Sequence, residues 1–400
     1  MSLDLNKVVS QVGGMVARLR ASGEERRQHL ERALQVAGDE AIDLDALKEK
    51  IAASQGKTTW LVAGLVDGIA RRYPAPGLPG EFDVLATDGS QIEVDRHRST
   101  RCYLINIGAV SLHYGAVSRA ALDSLPRLYA DEADLVIRST GATAREQLIE
   151  GPLLGIKRAV EECRHLAKLA SEQPAGSSSL ALLDGSLILW GLEAYPDFVS
   201  EVMLDKGYLS CFNDIRKLND SRKLALASYI SLPRGTDVVN ALRVAICPRD
   251  VPDCDVFCPA GKRDCDAVGG VQDRELFSTL LGPGERSAVF ASQSSVVRKH
   301  YGDHQVHFFY LRLDEEVARV EIPQWVAADE TLLNLTHGLV LDQCRRGLGY
   351  PVALSEAHEQ AVVTAADREN FWQLVESSLV DEHMPSFSSA KSFSKRTRWI

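Results

Sequence analysis

Two apolar stretches of the sequence each contain the tripeptide Asp-Gly-Ser. Asp184 stands in LALLDGSLILW, residues 180–190, and Asp88 stands in FDVLATDGSQIEV, residues 82–94. Each stretch is predicted to be a buried strand, because it is too short for a helix and too apolar for a surface. An ionised carboxylate inside an apolar sheet is costly unless a positive or hydrogen-bonding group receives it. Two such strands therefore indicate one site, where the glycines permit close approach and the serines can orient the carboxylates.

The pattern around these stretches predicts a sheet. Residues 81–128 are typical of three strands joined by short polar turns, which form an antiparallel meander. A helix is predicted over residues 143–171, then the Asp184 strand, a helical stretch near residues 213–223 and a strand over residues 224–232. Crossover helices let the first, fourth and fifth strands lie parallel and adjacent, so Asp88 and Asp184 would be neighbours. The predicted fold class is α/β, with a ribonuclease H-like core: a mixed five-stranded sheet with flanking helices.

The two ends of the chain are predicted to be helical. Residues 1–73 have apolar side chains at helical spacing, which indicates an N-terminal helical region used for packing or dimerisation. The stretch Pro74–Gly80 then marks a boundary. Two strands are expected at residues 307–313 and 317–323, and a C-terminal helical extension from Glu330 onward. We therefore expect a helical region over residues 1–73 and a second domain over residues 81–400.

Composition restricts the class of protein. The 400 residues are 45% hydrophobic and 25% charged, which is ordinary globular composition. A net charge of -10 argues mildly against indiscriminate nucleic-acid binding, although a nuclease needs only a cluster of acids and a local basic track. The opening residues are not a signal peptide, and no apolar run approaches the roughly 20 residues of a membrane span. We therefore expect a cytoplasmic protein that does not contact a membrane.

A third acid is expected from the helix before the Asp184 strand. In GPLLGIKRAVEECRHLAKLA, Glu162 lies at the edge of the apolar stripe, whereas Glu161 falls on the polar face. Glu162 can therefore point at the sheet. The alternative is a surface glutamate that pairs with Arg158 or His165.

Four cysteines lie in one segment rich in Pro, Asp and Gly. They are Cys247, Cys254, Cys258 and Cys265, with the spacing C-x6-C-x3-C-x6-C. Eight cysteines in a chain without an export signal argue against a disulfide framework. Four thiolates in a short irregular segment could hold zinc or an iron–sulfur cluster. The spacing matches no C-x2-C knuckle, so unrelated reduced cysteines are the alternative.

A tyrosine and a histidine stand near the C terminus in GYPVALSEAHEQAVV. Tyr350 and His358 flank a predicted helix start, with Ser355 as the N-cap and His358 at the third helical position. The helix dipole and His358 could then face a phosphate or a metal ion. The alternative is a structural histidine.

Four motifs, in order over about residues 80–370, resemble the NurA family of nucleases: TDGSQI, ALLDGSLIL, RVEIP and GYPVALSEAHEQA. The resemblance implies a nuclease dependent on Mn²⁺ or Mg²⁺ that acts as a single-strand endonuclease and a 5′–3′ exonuclease in DNA end resection. It also implies a homodimer and a HerA-type hexameric translocase ATPase as partner. Residues 81–400 would be the nuclease domain, with a cysteine-containing insertion near residues 247–270 that departs from the minimal family pattern.

The same resemblance implies roles for individual residues. Asp88, Glu162 and Asp184 would bind the metal, and Tyr350 and His358 would have active-site roles. On this hypothesis His358 ligates the metal or assists proton transfer, and Tyr350 hydrogen-bonds a phosphate or stacks on a base. Arginines after the first strand, which could equally form a solvated turn, are candidates for gripping the DNA backbone: Arg96, Arg98 and Arg101.

Two other classes of protein are compatible with the sequence. The first is an ATP-binding protein of the actin and sugar-kinase type, whose related fold also has Asp-Gly-Ser-like phosphate loops. The second is a non-catalytic adaptor that couples a translocase to DNA. Only the nuclease predicts loss of DNA ends that depends on a divalent metal and on Asp88 and Asp184.

Overall fold

The computed structural model describes residues 4–95, 100–140, 145–258 and 263–384. The chain forms two compact units. The first unit consists of Met1–Ala75, Ile230–Ser294 and His307–Val320. The second unit consists of Pro76–Tyr229, Ser295–Val306 and Glu321–Ile400. The division into residues 1–73 and 81–400 stays a prediction.

A mixed sheet is the centre of the second unit. Five of its strands lie in the spatial order Lys223–Ile230, Ser178–Asp184, Phe82–Ile92, Tyr103–Tyr114 and Arg119–Tyr129. The first three of these are parallel, and the remaining pairs are antiparallel. The central strands are almost wholly buried, as expected for parallel strands covered on both faces. The predicted fold class, an α/β protein with a ribonuclease H-like core, is confirmed.

The crossover helix of this sheet is Pro152–Glu172, and it begins later than predicted. Residues Glu146–Leu148 instead pair with Val136–Arg138 in a small hairpin. A proline suits the first turn of a helix, and it disfavours helical backbone in the residue before it. The buried apolar residues of the helix join one hydrophobic core with the sheet and the neighbouring helices: Leu153, Leu154, Ile156, Val160, Cys163, Leu166 and Ala170.

The other helices of the second unit connect or cover the strands. The helical stretch predicted near residues 213–223 is observed as Leu209–Leu218, which starts and ends earlier, and Lys223 already belongs to the next strand. These segments are Glu132–Leu135, Leu192–Ala194, Asp197–Ser200, Glu201–Tyr208, Leu209–Leu218, Ser295–His300, Gly302–His304, Gln324–Ala327, Glu330–Arg346, Val352–Ala361 and Ala365–Asp381.

The strand Arg119–Tyr129 is exposed along nearly its whole length. Every residue before Tyr129 is exposed, on both faces of the strand. Its ladder with Tyr103–Tyr114 is continuous, and Pro126 lies opposite Asn106. This strand therefore adds backbone pairing to the sheet with little apolar burial.

The first unit combines helices with short strands. Its helical segments are Asn6–Ala37, Leu44–Ala53, Asp237–Ile246, Cys254–Phe257, Asp264–Val268 and Asp273–Leu280. Its strands are Gly64–Leu65, Arg72–Tyr73, Arg286–Ser287 and Phe290–Ala291, together with most of Val306–Arg312 and of Val317–Pro323. The region predicted to be helical over residues 1–73 thus contains two helices and two short strands. None of the described helices is long and apolar enough to cross a membrane.

His304 is a buried histidine held in its neutral form. Its Nδ1 accepts a hydrogen bond of 3.2 Å from the Trp325 indole, and its Nε2 donates to Asn213 Oδ1 at 2.9 Å. Burial, with the nearby charge of Arg216, lowers the pKa of His304. The unfolded chain, with a histidine pKa of about 6.5, therefore binds a proton that the folded chain resists. The stabilisation from neutral His304 is therefore fully present above the unfolded-chain pKa of about 6.5, and it decreases as the pH falls below that value.

We expect the free energy of unfolding to fall as the pH decreases from about 7.5 to about 5.5. In His304→Gln, which has a donor and an acceptor but does not titrate, this fall should be smaller. Urea denaturation at both pH values measures it. His300→Gln is the matched control, because His300 is exposed and its variant should retain the wild-type dependence. An unchanged slope in His304→Gln would contradict this account.

Candidate active site

The two aspartates of the repeated tripeptide lie on adjacent parallel strands. Thr87 pairs with Leu183, so Asp88 and Asp184 each follow a paired residue at the same level of the sheet. Asp184 is the last residue of its strand rather than an interruption within it, because Gly185 has a φ of 81° and turns the chain. The prediction of a strand continuing to residue 190 is therefore wrong. The carboxylate instead stands at the sheet edge, where ligands bind in open α/β folds.

His358 is in direct contact with Asp88. Its Nδ1 lies 2.7 Å from Asp88 Oδ2, and the Gly89 amide donates to Asp88 Oδ1 at 2.7 Å. A carboxylate accepts hydrogen bonds, so Nδ1 carries the proton in this contact. The His358 side chain is 62% exposed, which leaves room for a ligand beside it.

The helix that carries His358 begins earlier than predicted. It spans Val352–Ala361 with Pro351 at its N-cap, so Ser355 is not the cap and His358 lies in the last turn. The cap is provided from outside the helix, because Gln343 Oε1 accepts a hydrogen bond of 3.1 Å from the Ala353 amide. The expectation that the N-terminal dipole acts together with His358 is therefore wrong.

Tyr350 is in contact with Asp184. Its hydroxyl donates to Asp184 Oδ1 at 2.9 Å, and its ring meets Tyr229 edge to face, with centroids 5.5 Å apart. Burial, and then the charge of Asp184, raises the pKa of Tyr350 well above its usual value. Burial likewise raises the pKa of Asp184, with the charge of Asp88 adding to it although the Tyr350 bond opposes it. Tyr350 therefore stays a protonated donor.

Glu162 faces the two aspartates from the crossover helix. Its Oε1 lies 3.0 Å from Arg158 Nε, but the two atoms are not aligned for a hydrogen bond, and no other described donor bonds this oxygen. Burial, together with the charges of the two aspartates, raises the pKa of Glu162 to about 7, although Arg158 opposes the shift. Glu162 thus lies beside Arg158, as the alternative interpretation expected. It is also oriented toward the sheet, as predicted.

Glu161 is more buried than its place on the predicted polar face suggests. Only 3% of the residue is exposed. Two cations reach it, because Lys157 Nζ lies 2.6 Å and Arg164 Nη1 lies 2.7 Å from its Oε1. These two cations satisfy Glu161 within its own helix, whereas Glu162 keeps a carboxylate oxygen without an aligned donor.

Two glycines allow the helices to approach the Asp88 strand and its neighbour. A methyl group at Gly89 would lie 2.6 Å from Glu162 Oε1 and 2.9 Å from the Arg158 side chain. A methyl group at Gly108, which pairs with Asp88 across the ladder, would lie 2.0 Å from the Ala357 carbonyl oxygen. Each glycine is therefore needed for the close approach of a helix that carries a site residue.

Asn106 and Gln343 hold the His358 helix at its two ends, and the sequence analysis missed both. The buried Asn106 amide donates to the carbonyl oxygens of Gln360 and Ala361 at 3.1 and 3.0 Å. Gln343 receives the Ala353 amide at the other end and donates to the Tyr114 hydroxyl at 3.1 Å. Asn106 is a lone polar residue in the apolar run YLINIGAV, which was the signal available for it.

Glu321 fixes the loop that follows Asp184, and it too was missed. Its Oε2 accepts from the Ser186 hydroxyl at 2.8 Å and from the Leu187 amide at 2.9 Å. The residue is 1% exposed. It is the acid of the RVEIP motif, where a glutamate inside an apolar strand was the available signal. The serine of the second tripeptide thus binds Glu321 rather than its own aspartate.

The remaining residues predicted to act at this site are three arginines. Arg96 and Arg98 fall within residues 96–99, outside the described ranges, and Arg101 is exposed. Across the described part of the chain, no group of three or more His, Cys, Asp or Glu side chains is positioned to hold a metal ion. Each aspartate instead has one oxygen bonded to Tyr350 or His358.

Acids at the ends of adjacent strands and on the crossover helix of this sheet define a class, the ribonuclease H-like proteins. Within that class, the family model of the NurA domain matches residues 82–363, more than half of the chain. The chain therefore belongs to the NurA family, whose members are nucleases associated with HerA and use divalent metals. No curated protein and no solved structure gives a significant match to the chain.

Proposed function

We propose that this protein is a metal-dependent deoxyribonuclease whose active site contains Asp88, Glu162, Asp184, Tyr350 and His358. The proposal rests on the arrangement of three carboxylates, two at the ends of adjacent parallel strands and one on the crossover helix that faces them. The proposed substrates are DNA ends and single strands. The proposed setting is end resection by a homodimer with a HerA-type ATPase.

The side chains present suit a divalent cation by their chemistry, although they are not positioned around one point in the described part of the chain. Glu162 Oε1 is buried without an aligned donor among the described residues, and the Arg158 guanidinium lies beside it, with Nε at 3.0 Å. The charges of Asp88 and Asp184 act on the same carboxylate. Carboxylate oxygens are the preferred ligands of Mg²⁺ and Mn²⁺. The three acids, with His358 as the fourth ligand, would hold the ion.

A divalent ion held there supplies Lewis acidity, lowering the pKa of water and neutralising charge on the phosphate. His358 would accept or return a proton at Nε2, since Asp88 fixes the ring through Nδ1. Tyr350 would donate to a phosphate oxygen or stack on a base, and its raised pKa keeps the hydroxyl protonated. Both side chains contact an acid of the site, His358 through Nδ1 and Tyr350 through its hydroxyl.

The loop after Asp184 offers a surface for a base. Trp190 is 52% exposed, and its indole nitrogen donates to Ser186 Oγ at 3.3 Å, which fixes the ring close to the end of the Asp184 strand. Aromatic stacking on single-stranded bases stabilises binding by roughly 1–3 kcal/mol per base. The exposed Arg101, with Arg96 and Arg98, would contact the DNA backbone.

The test is degradation of labelled DNA by the full-length protein. We expect cleavage of linear and circular single strands with Mn²⁺ or Mg²⁺, no cleavage with EDTA, and restoration when the metal is returned in excess. Linear duplexes labelled at either end report polarity, and the 5′ label should be released first. Each reaction is repeated with a HerA-type ATPase and ATP.

Two results would contradict this proposal. If DNA stays intact with every metal, alone and with the ATPase, the protein is better explained as an adaptor. If cleavage continues in EDTA, the acids do not act through a divalent ion. If circular single strands stay intact while linear DNA is shortened, only the proposed endonuclease activity is contradicted.

A further inference from the structure

The loop that follows Asp184 ends in an exposed tryptophan although most of the loop is buried. It begins at Gly185 and ends at Gly191, and the φ angles of these glycines are 81° and 89°. The three apolar residues 187–189 belong to the hydrophobic core of the second unit, whereas Trp190 is half-exposed. The indole ring is therefore presented by an anchored loop rather than by a free segment.

A chain of hydrogen bonds leads from the buried Glu321 through Ser186 to the ring of Trp190. The Ser186 hydroxyl donates to Glu321 Oε2 at 2.8 Å. The same oxygen of Ser186 accepts from the Ile188 amide at 3.0 Å and from the Trp190 indole at 3.3 Å. A serine hydroxyl has one proton and two lone pairs, so all three are used. Without Glu321 the hydroxyl could rotate, and the indole would lose its fixed acceptor.

Tyr301 holds the backbone of the same loop from the core. Its buried hydroxyl donates to the Leu187 carbonyl oxygen at 2.9 Å and accepts from the Leu189 amide at 2.9 Å. Glu321 receives the Leu187 amide at 2.9 Å. Both side chains belong to the second unit, as the loop does. Two buried side chains thus satisfy the polar groups that would otherwise let the loop open.

We propose that Glu321 and Tyr301 are positioning residues that hold Trp190 where an unpaired base stacks on it, so that the loop favours single-stranded over duplex DNA. The inference rests on the proposed function, because it takes DNA as the ligand. Aromatic rings bind unpaired bases through their faces, and the paired bases inside a duplex offer no free face. A ring that is already fixed loses little conformational entropy when it binds.

The test is binding of the full-length protein to a labelled oligothymidylate and to a blunt duplex of the same length, followed by fluorescence anisotropy in EDTA. We expect Trp190→Ala to weaken binding of the single strand by about 10-fold, because the stacked base is lost. Binding of the duplex should be nearly unchanged. Trp190→Phe keeps a ring and should retain most of the affinity for the single strand.

Further variants separate positioning from support of the fold. Tyr301→Phe and Glu321→Ala should each weaken single-strand binding, and Glu321→Gln should restore it, because its amide oxygen can accept from Ser186. Combining Tyr301→Phe with Trp190→Ala should weaken binding no further than Trp190→Ala alone, since Tyr301 acts through the ring. Tyr208→Phe, at another buried tyrosine of the same core, is the control and should bind as the wild type does.

The outcomes distinguish this inference from the nuclease proposal. If the wild type cleaves single strands and folded Trp190→Ala binds them equally well, only this inference fails. Additive losses in the double variant would overturn the positioning role of Tyr301. If single-strand binding depends on Trp190 as expected but no metal supports cleavage, only the nuclease proposal fails. Tyr301→Phe removes a single oxygen atom, so the test stands even if Glu321→Ala does not fold.

Discussion

Asp184→Asn is expected to reduce metal-dependent DNA cleavage by about 10³-fold, and Asp88→Asn by a similar factor. A metal-assisted phosphodiester cleavage draws several kcal/mol of transition-state stabilisation from the metal, and each 1.36 kcal/mol is about tenfold in rate. Asparagine has nearly the shape of aspartate and keeps an acceptor for the Tyr350 hydroxyl, but it lacks the charge that binds the ion. The measurement is the initial rate on labelled single-stranded DNA with Mn²⁺.

The same substitution should leave the fold intact. Burial and the charge of Asp88 raise the pKa of Asp184, so its ionised form is disfavoured without metal. A neutral amide removes this unfavourable term. We therefore expect the free energy of unfolding of Asp184→Asn in EDTA to equal or exceed that of the wild type, as measured by urea denaturation.

Asp123→Asn is the matched control for both measurements. Asp123 is exposed on the outer strand Arg119–Tyr129, away from the three acids. Its variant should cleave DNA at the wild-type rate. Wild-type cleavage by Asp184→Asn, with folding unchanged, would show that the carboxylates do not form the active site.

Gly108→Ala is expected to destabilise the protein by about 3 kcal/mol, the upper end of the range for overpacking. The added methyl group would lie 2.0 Å from the Ala357 carbonyl oxygen and 2.7 Å from the Ala361 amide nitrogen. Both atoms belong to the backbone of the His358 helix, so rotation of a side chain cannot relieve the overlap. The helix must move off the sheet, which should separate His358 from Asp88 and lower the cleavage rate in the same variant.

Gly155→Ala is the corresponding control. Gly155 lies inside the crossover helix Pro152–Glu172, and a methyl group there would meet nothing within 4 Å. Alanine is favoured over glycine in a helix by about 0.8–1.0 kcal/mol, so this variant should be slightly more stable than the wild type. Thermal unfolding of both variants measures the difference. Equal stability of the two would contradict the close approach at Gly108.

The parts of the candidate site that depend on local sequence pattern and on chain topology could be predicted from the sequence. Asp88 and Asp184 each stand out as a charge in an apolar run, and the handedness of crossovers brings their strands together. Glu162 follows from helical periodicity in the next element. These three predictions depend on neighbouring elements and on a period of 2 or 3.6 residues, which the sequence displays directly.

Contacts of individual side chains could not be predicted in the same way. The start of the His358 helix was misplaced because Ser355 resembles a cap, whereas the cap is supplied by Gln343 from the preceding helix. Glu161 was assigned to the surface because its helix position is polar, but Lys157 and Arg164 compensate its burial. The cap depends on where packing places Gln343, whereas the partners of Glu161 lie three and four residues away on its own helix, and the polar pattern did not reveal that this ion cluster is buried.

Pro126 has a consequence for how the chain behaves in a crowded solution. It lies in an unbroken ladder opposite Asn106, so its nitrogen, which carries no hydrogen, points to the outer side of the strand Arg119–Tyr129. An approaching strand would lose a hydrogen bond at that position, near the middle of an edge exposed on both faces. The proline therefore disfavours edge-to-edge aggregation through this strand, although the strand is exposed.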